Sequence, residues 1–335
     1  MKHKILIYGA GGYMGKLFTQ YASQKQLPIV LGSRNSFQTK EDLRLFSLEN
    51  TSGIIEHLRN IKLVVNLAGP FVFTQKQLIE ACLQTGTHYI DISGEAPEFE
   101  SAFRFDSQAK KANIMLMPGA GFGVVPTDIA AKLAHQKLPD ATQLTLAYVT
   151  VGGATRGTLK TVLKDIDKEG IEIVKGKAIK AMPAKSDFKF EADGKQHRVV
   201  YNPWRGDLFT AQHSTGISNI QTYANFPGFV ESMMKGKLLW LRDFILNKLI
   251  NLLPVGPSEK ALKKGKTYIF AKVNNAKGET AEVNIKGPEA YVFTAQTLTS
   301  ISLKIMNDDV FAGFQTPSIY GSELILSDFD NVIID

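Results

Sequence analysis

Five short apolar runs punctuate the first 125 residues: Lys4–Tyr8, Pro28–Leu31, Leu63–Leu67, Tyr89–Ile92 and Ile114–Met117. None alternates polar with apolar positions, which is the pattern of strands buried on both faces. Between them, Tyr13–Ser23, Ile54–Arg59, Gln75–Gln84 and Pro97–Ala112 repeat at the helical period. Strand and helix in alternation predict βαβ units, and so an α/β domain with a doubly wound parallel sheet over residues 1–125.

The rhythm changes after Pro126. Leu144–Thr150 reads as a strand and Gly157–Asp167 as a helix, and Phe188–Tyr201 carries a hairpin signal at Asp193-Gly194. Thr267–Asn274 and Thr280–Ile285 form a second antiparallel pair joined at Lys277-Gly278. Phe293–Met306 and Pro317–Leu326 read as helices. The pattern predicts an α+β domain with a mostly antiparallel sheet over 126–310, and a C-terminal helix in 311–335 packing back on the first domain.

The sharpest local signal is Gly9-Ala10-Gly11-Gly12-Tyr13-Met14-Gly15, directly after the first apolar run. Gly9, Gly12 and Gly15 stand at dinucleotide-fingerprint spacing. One lets the strand turn, one lets the backbone approach a pyrophosphate, and one lets helix and sheet pack closely. The phosphates then rest on the helix N-terminus, where Tyr13 and Met14 begin the first turn. The first domain is therefore read as a Rossmann domain. At the end of the second strand an NAD site would carry Asp or Glu, but Ser33 and Arg34 stand there. A hydroxyl beside a guanidinium suits a 2′-phosphate, so the expected cofactor is NADP(H). Asn66, Ala68, Gly69 and Pro70 end another strand, where ligands of open α/β sheets bind.

Composition narrows the class. The chain has 335 residues, 44% hydrophobic and 21% charged, with a net charge of +7. Its lysines are scattered, without the concentrated basic stripe of a nucleic-acid binder. One cysteine, Cys82, excludes an intramolecular disulfide, and with no secretory signal in Met1–Tyr8 the expected location is cytoplasmic. The six histidines show no paired ligand spacing, so no metal site is expected.

The glycine turn is one part of a wider resemblance. Leu67–Phe71 (LAGPF), Ala81-Cys82 and Gly86–Glu95 (GTHYIDISGE) resemble the signature of saccharopine-dehydrogenase-like oxidoreductases, a group that includes proteins described as trans-acting enoyl reductases. Pro118–Asp128 resembles another of its segments, with Gly123 and Val124 where Asp and Ser are usual. Gly152–Leu159, Asn202-Pro203-Trp204, Ser214–Ile220 and Gly313–Ser318 extend the likeness into the second domain. The resemblance implies NADP-dependent oxidoreductase chemistry and leaves the substrate open.

Asp91 and Glu95, at the end of the Tyr89–Ile92 strand, are the candidates for a catalytic acid or a ribose contact; local backbone hydrogen bonding is the plainer reading of Asp91, and a place in the first turn of the next helix that of Glu95. Arg156, Tyr201, Trp204 and Arg205 are the substrate-side candidates, with the arginines suited to a carboxylate. Three functions remain in view. They are a reductase at a C=C or C=N bond of a small or lipid-like substrate, an amino-acid-type dehydrogenase acting on a secondary amine, and a non-catalytic NADP-binding sensor or scaffold. Leu238–Leu253 has an apolar stripe (Leu238, Leu241, Ile245, Leu249, Leu252) broader than a surface helix needs. It reads as a core helix, an apolar lid, or a peripheral membrane or dimer helix. Homodimerisation is the base-rate expectation.

Overall fold

The computed structural model describes residues 2–164, 166–326 and 331–335. These fall into two compact units, the first drawn from Met1–Val125 and Phe293–Phe329, the second from Pro126–Val292 and Asp330–Asp335.

In the first unit the strands are β1 (Lys4–Tyr8), β2 (Ile29–Ser33), β3 (Leu43–Leu45), β4 (Ile61–Asn66), β5 (His88–Asp91) and β6 (Met115–Met117). The sheet order is β3-β2-β1-β4-β5-β6, with Gly313–Phe314 as a seventh strand beyond β6, and every pairing is parallel. This is the doubly wound order, with its switch point between β1 and β4. Ile5, Leu6 and Ile7, with Leu63, Val64 and Val65, are wholly buried, as the unbroken apolar runs require. Cys82 and His88 lie in the same core. The His88 ring accepts the Met115 N–H at 3.0 Å, and burial, with Lys62 and Lys2 nearby, lowers its pKa to about 4. It is a neutral packing residue.

Two expectations are corrected here. The return to the first unit begins at Phe293, ahead of the expected boundary at 311, where helix Ala290–Met306 is buried along most of its length. Its Phe293, Leu298, Ile301 and Ile305 are fully buried, and the Thr297 hydroxyl donates to the Ala120 carbonyl at 2.9 Å. Pro317–Leu326 is not one helix: Gly321, at φ +67°, separates a single turn over Pro317–Tyr320 from a short helix over Glu323–Leu326. Residues 327–330 of the expected C-terminal helix lie outside the described residues.

The second unit carries β7 (Gln143–Val151), β8 (Gly170–Val174), β9 (Lys177–Ala181), β10 (Asp187–Ala192), β11 (Lys195–Tyr201), β12 (Asn219–Ala224), β13 (Lys266–Asn274) and β14 (Thr280–Pro288). The order is β10-β11-β12-β7-β13-β14, with Ile333–Ile334 at the edge and β8-β9 attached to β12. Among the described residues only β12-β7 is parallel, so the sheet is mostly antiparallel as expected. The β10-β11 hairpin turns at Asp193 (φ +53°) and Gly194 (φ +68°), the conformation that an Asp-Gly pair favours. The expected helix at Gly157–Asp167 runs over Arg156–Lys164; Asp165 lies outside the described residues.

Leu238–Leu253 departs from the expected wheel. An α-helical turn over Leu239–Phe244 continues as a π-helical turn over Ile245–Leu249, where the Ile250 N–H reaches the Ile245 carbonyl at 2.8 Å. A π turn takes an extra residue and shifts the phase of the stripe. Leu241, Ile245 and Leu246 pack inward on the core cluster of Leu163, Ile166, Val230, Met233 and Met234. Leu238, Leu249 and Leu252, expected on the buried stripe, are exposed.

Candidate active site

The candidate site lies in the first unit, beyond the carboxyl ends of its strands. The glycine turn is tightly packed against the protein's own backbone. Gly9 has φ +85°, and a Cβ there would stand 2.8 Å from the Ala68 nitrogen, so the turn rests directly on the loop after β4. A Cβ on Gly15 would meet the Gly9 carbonyl oxygen at 2.5 Å and Ala10 at 2.6 Å, all backbone that cannot swing away. Helix Tyr13–Gln24 starts at Gly12 with no side-chain cap and no acidic residue in its first turn. A helix start of this kind favours an anion. Phe37, which sequence reasoning missed, sets its ring 3.2 Å from where a Gly11 Cβ would be, a flat wall at the edge of the turn.

At the end of β2 the Ser33 hydroxyl accepts the Asn35 N–H at 3.3 Å. Arg34 is exposed and forms no ion pair or hydrogen bond among the described residues. It lies close enough to Tyr8, at the end of β1, for its charge to oppose the rise that burial gives the phenol pKa. A guanidinium beside the turn, with a hydroxyl next to it and no carboxylate at the strand end, suits a 2′-phosphate.

The loop Asn66–Pro70 is braced from below. The buried Asn66 amide donates to Thr74 Oγ1 and to the Tyr89 hydroxyl, both at 3.0 Å, and its oxygen accepts the Ala68 N–H at 3.0 Å. Thr74 in turn donates to the Ala68 carbonyl at 2.8 Å. Gly69 and Pro70, joined by a cis peptide, are exposed at the crest.

Asp91 is the hub beneath this loop. It has no exposed surface, and its carboxylate accepts from Gln75 Nε2 (2.9 Å), the Tyr89 hydroxyl (2.8 Å), the Ser93 N–H (2.9 Å), the Ser93 hydroxyl (2.6 Å) and the Gly119 N–H (3.2 Å). Five donors occupy both oxygens, so the carboxylate ties the end of β5 to the turn after β6. Glu95 is half-buried at the start of helix Ala96–Phe103 and accepts the Gly94 N–H at 3.2 Å.

One further acid escaped the sequence reading. Glu98, in the first turn of that helix, is only 8% exposed, and its Oε2 has no hydrogen-bond partner among the described residues. Burial, then the charges of Glu95 and Asp91, raise its pKa to about 8. At neutral pH it holds a proton. An acid in a helix's first turn is ordinarily a solvated dipole partner; nothing in the string Ala96–Glu100 shows that this one points inward.

This proton has a stability consequence. A carboxyl with a raised folded-state pKa contributes stability that is fully present below its unfolded value of 4.5 and is lost as pH rises through about 8. Glu98→Gln is expected to remove that decline. By urea denaturation it should be the more stable protein near pH 9, by on the order of 2 kcal/mol, and little changed near pH 5. Parallel profiles for the two proteins would show that Glu98 is ionised in the native state.

The four substrate-side candidates of the second unit are each engaged separately. Arg156 Nε donates to the Leu253 carbonyl. Tyr201 is fully buried, donating to Glu172 at 3.0 Å beneath the Lys185 ammonium. Trp204 Nε1 donates to the Lys168 carbonyl at 3.2 Å. Arg205 pairs with the buried Asp207 at 2.8 Å and lies over the Tyr148 ring. None of the four lines the cavity of about 730 Å³ on the sheet of this unit, whose floor is Phe188, Phe190, Tyr223, Tyr268 and Phe270.

A seven-stranded parallel sheet, an uncapped glycine turn and an arginine at the end of β2 define a Rossmann domain built for a phosphorylated dinucleotide. Residues 5–117 match the family model of the saccharopine dehydrogenase NADP binding domain; the first unit carries that domain, and its cofactor is NADP(H). A saccharopine dehydrogenase-like oxidoreductase of Bos taurus is 20% identical over 180 residues, 46% of this chain and 42% of that protein. A Mycobacterium tuberculosis protein provisionally named as a trans-acting enoyl reductase is 29% identical over 184 residues, 48% of this chain and 43% of the relative. The matched region thus spans less than half the length of these relatives. Among solved structures, apo saccharopine dehydrogenase (L-Glu forming) of Saccharomyces cerevisiae superposes with a TM-score of 0.64 at 12% identity, covering 99% of each chain, a likeness of fold.

Proposed function

We propose that the chain is an NADP-dependent oxidoreductase acting on a C=C or C=N bond of an apolar substrate. The glycine cradle with the unpaired Arg34 at the end of β2 carries this reading. When bound, the nicotinamide supplies or accepts the hydride. The chain's own residues do the rest. The opening amides of helix Tyr13–Gln24 hold the pyrophosphate, and Ser33 and Arg34 hold the 2′-phosphate. The braced loop Asn66–Pro70 and the Asp91 hub keep the carboxyl edge of the sheet rigid. Glu98, carrying a proton at neutral pH, is the acid from which a proton can be released at that edge.

Two observations support the substrate class. The arginines that an amino-acid dehydrogenase would turn to a substrate carboxylate are bonded elsewhere, Arg156 to the Leu253 carbonyl and Arg205 to Asp207. The M. tuberculosis relative is named for enoyl reduction. Loss of NADPH absorbance with α,β-unsaturated thioesters or cyclic imines tests the reading, and turnover with one of these is expected. Tight NADPH binding with no turnover on either class would leave the non-catalytic sensor as the better account.

A further inference from the structure

The segment Gly228–Lys264 of the second unit presents large apolar side chains to solvent. Trp240 is 70% exposed, Phe244 48% and Leu252 79%, joined by Phe229 and Val255. Trp240 and Phe244 are one helical turn apart on the same face, and the π turn that follows carries this face on to Leu249. The opposite face is committed: Leu241, Ile245 and Leu246 are packed on the core, and Arg242 is held by Asp167 at 2.7 Å. The outward residues are therefore displayed by a fixed platform and cannot fold inward.

The charges around this crest are one-sided. Residues 228–264 contain seven lysines and arginines against three carboxylates. Lys237, Lys248, Lys260, Lys263 and Lys264 are exposed and form no ion pair among the described residues. A tryptophan and a phenylalanine at a crest flanked by lysines is the arrangement that sits at the headgroup level of a bilayer, rings in the interface and ammonium groups among the phosphates. No helix among the described residues is long and apolar enough to cross a membrane, so the contact is one of lying on the surface.

We propose that the exposed face of residues 238–255, with Trp240, Phe244 and Leu252 at its crest, docks the second unit onto an anionic phospholipid surface. The inference stands independently of the substrate reading.

Flotation of the whole chain with phosphatidylcholine vesicles, with and without phosphatidylserine, tests it. The two tryptophans are Trp204 and Trp240, so a Trp204→Phe background leaves Trp240 as sole reporter. Binding to the phosphatidylserine vesicles is expected, weakened by salt, with a blue shift of Trp240 emission. Trp240→Ser with Phe244→Ser should lower the bound fraction at least about tenfold. Lys237→Glu with Lys248→Glu should lower it on the serine-containing vesicles, and both variants should retain native circular dichroism and NADPH binding. The proposal is overturned if the chain floats with neither vesicle, or if the Trp240 and Phe244 variant floats as well as the parent. A dimer in sedimentation velocity that this variant dissociates, without vesicle binding, would assign the face to a second copy instead.

Discussion

Arg34→Ala is expected to erase the preference for NADPH over NADH. Arg34 is exposed, has no carboxylate partner among the described residues, and directly follows β2, where the proposed 2′-phosphate contact lies. A charge-assisted bond between guanidinium and phosphate contributes about 1.5–3 kcal/mol, and a bidentate pair more, so the ratio of the two dissociation constants should fall by about 10–100-fold. NADH affinity should change little, because in the proposed binding mode the pyrophosphate would be held by the glycine turn and not by this side chain. Titration followed by nucleotide fluorescence reads both constants. A variant that keeps its NADPH preference would move 2′-phosphate recognition to another group.

The second large effect is on stability. Asp91→Ala would strand five donors in a site with no access to water. Removing one side of a buried charged network costs about 3–5 kcal/mol, a large part of a typical domain's stability. Asp91→Asn is a sharper probe. Its amide oxygen can still accept from Ser93 and Gly119, but its NH2 would face Gln75 Nε2 and the Tyr89 hydroxyl, both already donating. It should recover less than half of the loss, and urea denaturation of both variants measures this. Near-parent stability for Asp91→Asn would mean that the Tyr89 and Gln75 bonds contribute little.

How much was legible depends on whether the information is local. The apolar runs read directly as β1, β2, β4, β5 and β6, because a strand buried on both faces needs no partner sequence to be recognised. The glycine spacing was equally local, although of Gly9 and Gly15 only Gly15 meets its demand inside the turn, 2.5–2.6 Å from the Gly9 and Ala10 backbone; Gly9 meets it at Ala68, 2.8 Å away and on another strand's loop. Gly313–Phe314 was hidden because two residues have no period, and only the β6 edge makes them a strand. The π turn moved Leu249 and Leu252 to the surface by adding a residue that no wheel anticipates. Glu98 was hidden for a third reason. Whether an acid keeps its proton depends on what closes over it, here a helix start beside Glu95 and Asp91, and that closure is tertiary.

The edge strand at Gly313–Phe314 also makes the nucleotide-binding unit discontinuous in the chain. Its seventh strand and its buried helix from Phe293 are separated from β6 by residues 126–292 of the second unit. On the ribosome, residues 2–125 emerge with the open edge of β6 unpaired and apolar surface uncovered, and they stay so until roughly two hundred more residues have been added. The second unit, continuous from Pro126 to Val292 apart from its short edge strand, can fold in the interval. Synthesis thus separates the glycine turn from the far segments of its own unit, which follow the main body of the second unit in the chain.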